Sequence, residues 1–273
     1  MKPIDFDTMP VYVINLDRRK DRWEEFLQQP ILKEFQGLER FSAIDGKMLD
    51  WENDNRISIH TRDNIRKNFR RSHYEINTVG ACGATFSHVG CWEKFLETNS
   101  EYCMILEDDI DFRKKDLEKA EILAKRIPDN FDIWILGHHT GARSIQWMPK
   151  SPWYVVNQFT GAHCYIITRK AAQTLLEECF PIETHIEFYM TSTSKQKKMF
   201  MFRNIGLRIS QMAETTLEND SDTFGGSTCP LCRVPDNPIS SYFMWPVKSV
   251  FQAAAAIAAV SFVTYGYARR QCS

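Results

Sequence analysis

The chain has 273 residues, 43% of them hydrophobic and 25% charged, which is an ordinary balance for a folded globular protein with a sizeable core. A formal net charge of −1 excludes a surface that is basic throughout, and no nucleic-acid partner is expected. Most of the eight cysteines lie inside apolar runs such as EYCMIL and TGAHCYII, so they read as small buried hydrophobes rather than a disulfide framework.

The N-terminus, MKPIDFDTMPVYVINLD, has no basic stretch followed by an apolar one. A strand-like run, VYVINL, begins almost at once, and no signal peptide is expected. In DRRKDRWEEFLQQPIL, Trp23, Phe26 and Leu27 recur at helical spacing, with Asp17 placed to cap the helix. Residues 41–44 predict a second strand closed by the Asp45-Gly46 turn. Arg56, Arg62, Arg66, Lys67, Arg70 and Arg71 then crowd together with His60 and His73. They form either a solvated face or an anion site for phosphates or an acidic acceptor. VGACGATFSHVGCWEKFLET opens with small residues and then sets Phe86, Val89, Trp92, Phe95 and Leu96 on one helix face. YCMIL reads as a buried strand, LEKAEILAKRI as a helix ended by Pro128, and FDIWILG as another strand. WYVVNQF and HCYIITR are two more strands, and KAAQTLLEECF is a helix before Pro181. Alternating strands and helices predict α/β layering.

YCMIL runs directly into Glu107, Asp108 and Asp109, with Asp111 following after one isoleucine. Crowded carboxylates raise one another's pKa, so the pattern costs stability unless something neutralises it. A hard divalent cation is the simplest partner. In open α/β sheets ligands bind beyond the carboxyl ends of strands, which is where these acids fall. Side chains alternate along a strand, so all three acids are not expected to hold one ion together. The competing reading is a capped strand-to-helix turn with solvated acids. Asn15 and Asp17 end the first strand at the same rim. His88, beside Ser87, is either a satisfied core histidine or a residue at the site's edge.

In this order VINLDRRKDRWEEF, FSAIDG, GACGATFSHVGCWEKFL, ILEDDIDF and TGAHCYIITRKAAQTLL resemble glycosyltransferase family 25, from about residue 11 to about residue 221. That family includes bacterial lipopolysaccharide galactosyl- and glucosyltransferases and the collagen galactosyltransferases. The resemblance implies a GT-A-like α/β fold with a mostly parallel central sheet that binds a nucleotide sugar. It implies transfer of galactose or glucose from a UDP-sugar to a glycan, lipid-linked or protein hydroxyl, with Mn2+ or Mg2+ stabilising the departing diphosphate. Asp109 and Glu107 match the outer positions of the family's acidic motif and are the expected metal ligands. Asp108 is expected on the sugar nucleotide, Asn15 and Asp17 on uridine and ribose, and Ser87 and His88 at the site edge. An inverting transfer needs a base. Glu187 is the first candidate and Glu183 the second, with His185 between them, although the family has an aspartate after the preceding proline. His163 is expected to line the acceptor side, and ISQMAETTLENDSDT resembles the family's closing segment through Gln211 and Ser221.

The expected organisation is a glycosyltransferase domain over 9–225, a linker over 226–248, and a C-terminal hydrophobic helix over 249–268. The linker's CPLC has no second pair nearby and reads as a loop rather than a zinc site. SVFQAAAAIAAVSFVTYGYA is 20 uncharged residues between Lys248 and Arg269, long enough to cross a bilayer. It is expected to be a single-pass tail anchor with the catalytic domain in the cytosol; docking on the domain is the alternative. The competing function is a lapsed family fold serving as a membrane-anchored binding or scaffold protein. A metal-dependent hydrolase or nucleotidyltransferase would explain the acids but not the other motifs.

Overall fold

The computed structural model describes residues 3–70, 72, 74–139, 143–147 and 151–212, all within one unit spanning residues 1–229. Arg71, His73, Ser221, the CPLC linker, its cysteines and the 249–268 segment lie outside the described residues. In chain order the elements are β1 (Val11–Asn15), α1 (Lys20–Leu27), β2 (Leu38–Ser42), α2 (Ile59–Lys67), α3 (Val79–Leu96), β3 (Tyr102–Glu107), β4 (Ile110–Asp111), α4 (Lys114–Ala124), β5 (Ile133–Gly137), β6 (Arg143–Trp147), β7 (Trp153–Gln158), β8 (Cys164–Thr168), α5 (Arg169–Leu176), α6 (Ile186–Gln196), β9 (Met201–Asn204) and β10 (Ser210–Gln211).

The 8-stranded sheet has the order β2-β1-β3-β8-β5-β9-β7-β6. β1 pairs in parallel with β2 and β3, and β5 with β9. β8 and β7 run antiparallel to both of their neighbours, so the other strands share one sense and the sheet is mixed but mostly unidirectional. β3, β5 and β8 are apolar without interruption because helices cover both of their faces. Alternation divides their side chains. Val11, Val13, Met104, Leu106, Trp134 and Ile166 pack with Phe26 of α1 and Leu117 and Ala120 of α4. Tyr12, Cys103, Ile105, Ile135 and Tyr165 pack with Trp92 and Phe95 of α3, Leu175 of α5 and Met190 of α6. The result is a three-layer α/β/α domain.

The small residues that open α3 have a packing reason. A Cβ on Gly83 would collide with Ile44 O and stand 2.7 Å from Gly46 N. The first turns of α3 therefore meet the 43–46 loop backbone to backbone, which a side chain forbids. Thr78 caps this helix by accepting from Ala81 N.

Several local expectations change. α1 starts at Lys20 with Arg19 at its N-cap and no side-chain cap; Asp17 instead accepts from Arg40 and Ser42 of β2. The second strand comes earlier than expected, at Leu38–Ser42. Most basic residues of α2 and its approach are exposed and paired, Arg56 with Asp54 and Arg66 with Asp63, which fits a solvated face; Arg70 is buried. α6 has no counterpart among the expected elements, because IEFYMTSTSKQ is rich in Thr and Ser and weak in helix propensity; burial of Ile186 and Met190 overrides that weakness. Cys82, Cys91, Cys103, Cys164 and Cys179 are buried and free, as expected. Among the described residues no helix is long and apolar enough to cross a membrane.

Candidate active site

β3 delivers the acids to the rim where β1 and β5 also end. Asp108 turns into the protein. Its Oδ2 accepts from Asn15 Nδ2 at 2.6 Å, and its Oδ1 lies 3.1 Å from Arg22 Nη1. The next carboxylate, Asp109, accepts from Arg22 Nη2 at 2.8 Å and from Gln211 Nε2 at 3.2 Å. One guanidinium on α1 thus bridges two successive carboxylates, and an arginine supplies part of the neutralisation that the sequence demands. Burial still pushes Asp108 up to about 6, against the pull of Arg22 and Asn15. Asp109 is also raised, by burial and then by the charge of Glu107. A single cation leaves this tip short of positive charge.

Glu107 faces differently. Its side chain is 33% exposed although protein surrounds it, so it lies in the floor of a cleft. Burial pushes its pKa up, but the contact with His88 and the neighbouring imidazoles of His163 and His139 outweigh this, and Glu107 sits below the usual carboxylate range. His88 Nε2 is 3.5 Å from Glu107 Oε1, and His88 Nδ1 is 3.0 Å from the Tyr165 hydroxyl.

Glu187 stands in the first turn of α6 and feels the charge of Glu107. Burial raises it to about 7, offset in part by its own backbone N–H and that of Gly161. Gly161 has φ +74, a left-handed conformation that suits glycine and turns its N–H toward this carboxylate. Glu183, in contrast, is exposed at the start of this segment, and His185 is the buried N-cap residue of α6.

The remaining expected residues divide. Asn15 is buried and serves as a junction: it donates to Arg19 O and Asp108 and accepts from Arg40 Nε at 2.8 Å. Asp17 stays at the rim, its side chain 71% exposed. Ser87 is buried and spends its hydroxyl within the fold, donating to Gly83 O and accepting from Ile44 N. His163 is buried, and Asp109 feels its imidazole. Sequence reasoning missed Arg22. A signal existed, because Arg22 is four residues before the buried Phe26 and so shares the inward face of α1.

The donor set bears on a divalent ion. Glu107 and Asp109, two positions apart, both feel the imidazole of His163. His163 gives Nε2–H to Ile209 O at 3.1 Å, and its Nδ1 is buried without a hydrogen-bond partner. Asp109, short of compensation, and Glu107, kept ionised by its imidazole neighbours, fit as oxygen ligands for Mn2+ or Mg2+. Among the described residues no three His, Cys, Asp or Glu groups already converge on one point.

These features define a class: an α/β domain with crowded acids at its strand ends and, near them, a carboxyl raised to about 7. The chain belongs to glycosyltransferase family 25, whose model, described as an LPS biosynthesis protein, matches residues 8–190. It is 29% identical over 177 residues to a glycosyltransferase 25 family member of Anopheles gambiae, covering 62% of this chain and 28% of the relative. It is 26% identical over 122 residues to procollagen galactosyltransferase 2 of Homo sapiens, covering 45% of this chain and 18% of the relative. The chain therefore spans less than a third of the length of either relative. Among solved structures, UDP-glucose pyrophosphorylase complexed with UDP-glucose aligns at 9% identity and TM-score 0.37, over 74% of this chain and 91% of that one, which is too loose to argue from.

Proposed function

We propose that this protein is a metal-dependent glycosyltransferase that moves a hexose, galactose or glucose, from a UDP-sugar to a hydroxyl of a glycan, lipid-linked or protein acceptor. The observation that carries the reading is the crowding of Glu107, Asp108 and Asp109 at the end of β3, with Glu187, raised to about 7, close enough to feel the charge of Glu107. Mn2+ or Mg2+ held by Asp109 and Glu107 would supply positive charge to the departing diphosphate. Arg22 keeps Asp108 and Asp109 side by side, and Asn15 anchors Asp108. Asp17, at the open rim, is the residue available to the donor's ribose, while Asn15 and Ser87 act through the scaffold.

Glu187 is the general base, with exposed Glu183 second. A carboxyl with pKa near 7 is substantially ionised at neutral pH and basic enough to take a hydroxyl proton. The acceptor oxygen bonds to the anomeric carbon as the bond to the diphosphate oxygen breaks; its proton passes to Glu187, and the configuration inverts. The backbone N–H groups of Glu187 and Gly161 favour the ionised carboxylate and offset part of its burial.

The membrane part of the proposal rests on residues 249–268 alone. Release of UDP from UDP-galactose, UDP-glucose and UDP-N-acetylglucosamine, with Mn2+ and with excess chelator, tests the reading. Metal-dependent release from one of the two hexose donors is expected. UDP binding without turnover under any condition would overturn it in favour of a binding or scaffold protein.

A further inference from the structure

Trp92, Tyr165 and His88 are buried and form a single line that ends at Glu107. We infer that this line is a positioning device: it fixes the His88 proton on Nε2 and aims the Glu107 carboxylate into the cleft. The direction of each bond follows from what each group can do. An indole nitrogen only donates. Trp92 Nε1, 2.9 Å from the Tyr165 oxygen, therefore occupies one of its acceptor positions. The phenol has one proton, and His88 Nδ1 lies 3.0 Å away. Tyr165 donates to Nδ1, which leaves the imidazole proton on Nε2, facing Glu107 Oε1 at 3.5 Å. Burial holds the Tyr165 pKa well above its ordinary value, so the phenol keeps its proton. The polarity runs one way, from indole to phenol to imidazole to carboxylate, with no two donors or two acceptors opposed.

Three elements build this line. His88 and Trp92 are one turn apart on α3, Tyr165 stands on β8, and Glu107 ends β3. The rings of His88 and Tyr165 also stack, with centroids 5.8 Å apart. His88 Nε2 lies nearest Oε1 of the Glu107 carboxylate, which is 33% exposed. Outer partners of this kind orient metal-binding groups and typically change metal affinity about 10–100-fold when removed. The role of Glu107 as a metal ligand rests on the proposed metal-dependent glycosyl transfer; the His88 tautomer does not.

Two measurements separate those claims. In 15N-histidine-labelled protein, two-bond 1H–15N spectra report the tautomer directly. Wild type is expected to show His88 as Nε2–H, and Tyr165→Phe, which removes the proton given to Nδ1, is expected to lose that preference. An Nδ1–H tautomer in wild type, or an unchanged signature in Tyr165→Phe, would overturn the inference. Titration with Mn2+ alone supplies the second readout. His88→Leu should weaken binding at least about 10-fold, while His88→Gln, whose amide N–H stands near the position of Nε2, should stay within about 3-fold. Equal affinity of wild type and His88→Leu would reduce the line to packing. Absence of Mn2+ binding in wild type would instead strike the proposed metal, and the tautomer spectra would still decide the positioning line.

Discussion

Arg22 Nη2 lies 2.8 Å from Asp109 Oδ2, while Nη1 of the same guanidinium lies 3.1 Å from Asp108 Oδ1. Removing this cation leaves two crowded carboxylates short of their partner. Arg22→Ala should cost about 1–3 kcal/mol at pH 8, less than a fully buried pair would because Arg22 is 34% exposed. Asp108 is already raised, so the folded state binds its proton more tightly than the unfolded chain. Its stability contribution is present at low pH and is lost as pH rises through about 6. The deficit of Arg22→Ala should therefore shrink at pH 5, as read by urea denaturation at both pH values. Arg22→Lys should recover only part of it, since an ammonium is a point charge rather than a fork.

Glu187 gives a second pH signature. Its pKa is raised from 4.5 to about 7, so the fold disfavours its ionised form. Stability should decline as pH climbs through that window, and Glu187→Gln should be the more stable protein at pH 8. The same substitution should lower kcat roughly 100- to 10,000-fold with little change in donor KM. In wild type kcat should fall as pH drops below about 7. A drop of that size in Glu183→Gln alone would transfer the role to the neighbour.

Asp109→Ala should abolish UDP release and weaken Mn2+ binding while the protein stays folded, because the lost group is a strained carboxylate rather than core packing. Circular dichroism and electron paramagnetic resonance of free Mn2+ measure the two halves. Full activity in this variant, or of wild type in excess chelator, would remove the metal from the mechanism.

Gly83→Val should destabilise by about 1–3 kcal/mol or more, since the added side chain meets backbone at Ile44 and Gly46 that has little room to shift. The melting temperature should fall, and the 43–46 loop should exchange its amide protons faster.

Deleting residues 249–273 should yield a soluble protein that keeps UDP-releasing activity, while the longer chain resists carbonate extraction from membranes. Removal of the longer chain by salt alone would end the anchor hypothesis.

The sequence by itself determined what local spacing can encode. Uninterrupted apolar runs made β3, β5 and β8 central strands, and the apolar positions of α3 gave a helix of the right extent. The acids were legible because they terminate such a run, and their crowding announced a missing cation. Only the tertiary structure decided which cation came. Arg22 reaches Asp109 across 87 positions, and although its spacing from Phe26 turns it inward, nothing local names the carboxylates it meets. His88 finds Tyr165 across 77 positions, because α3 packs on the face of the sheet that Tyr165 of β8 shares with Tyr12, Cys103 and Ile105. Asp17, expected to cap its own helix, was drawn to Arg40 and Ser42 once β2 paired with β1. Periodicity is a property of the backbone and is written locally. Which charge meets which depends on how separate elements approach, and that is settled only when the layers pack.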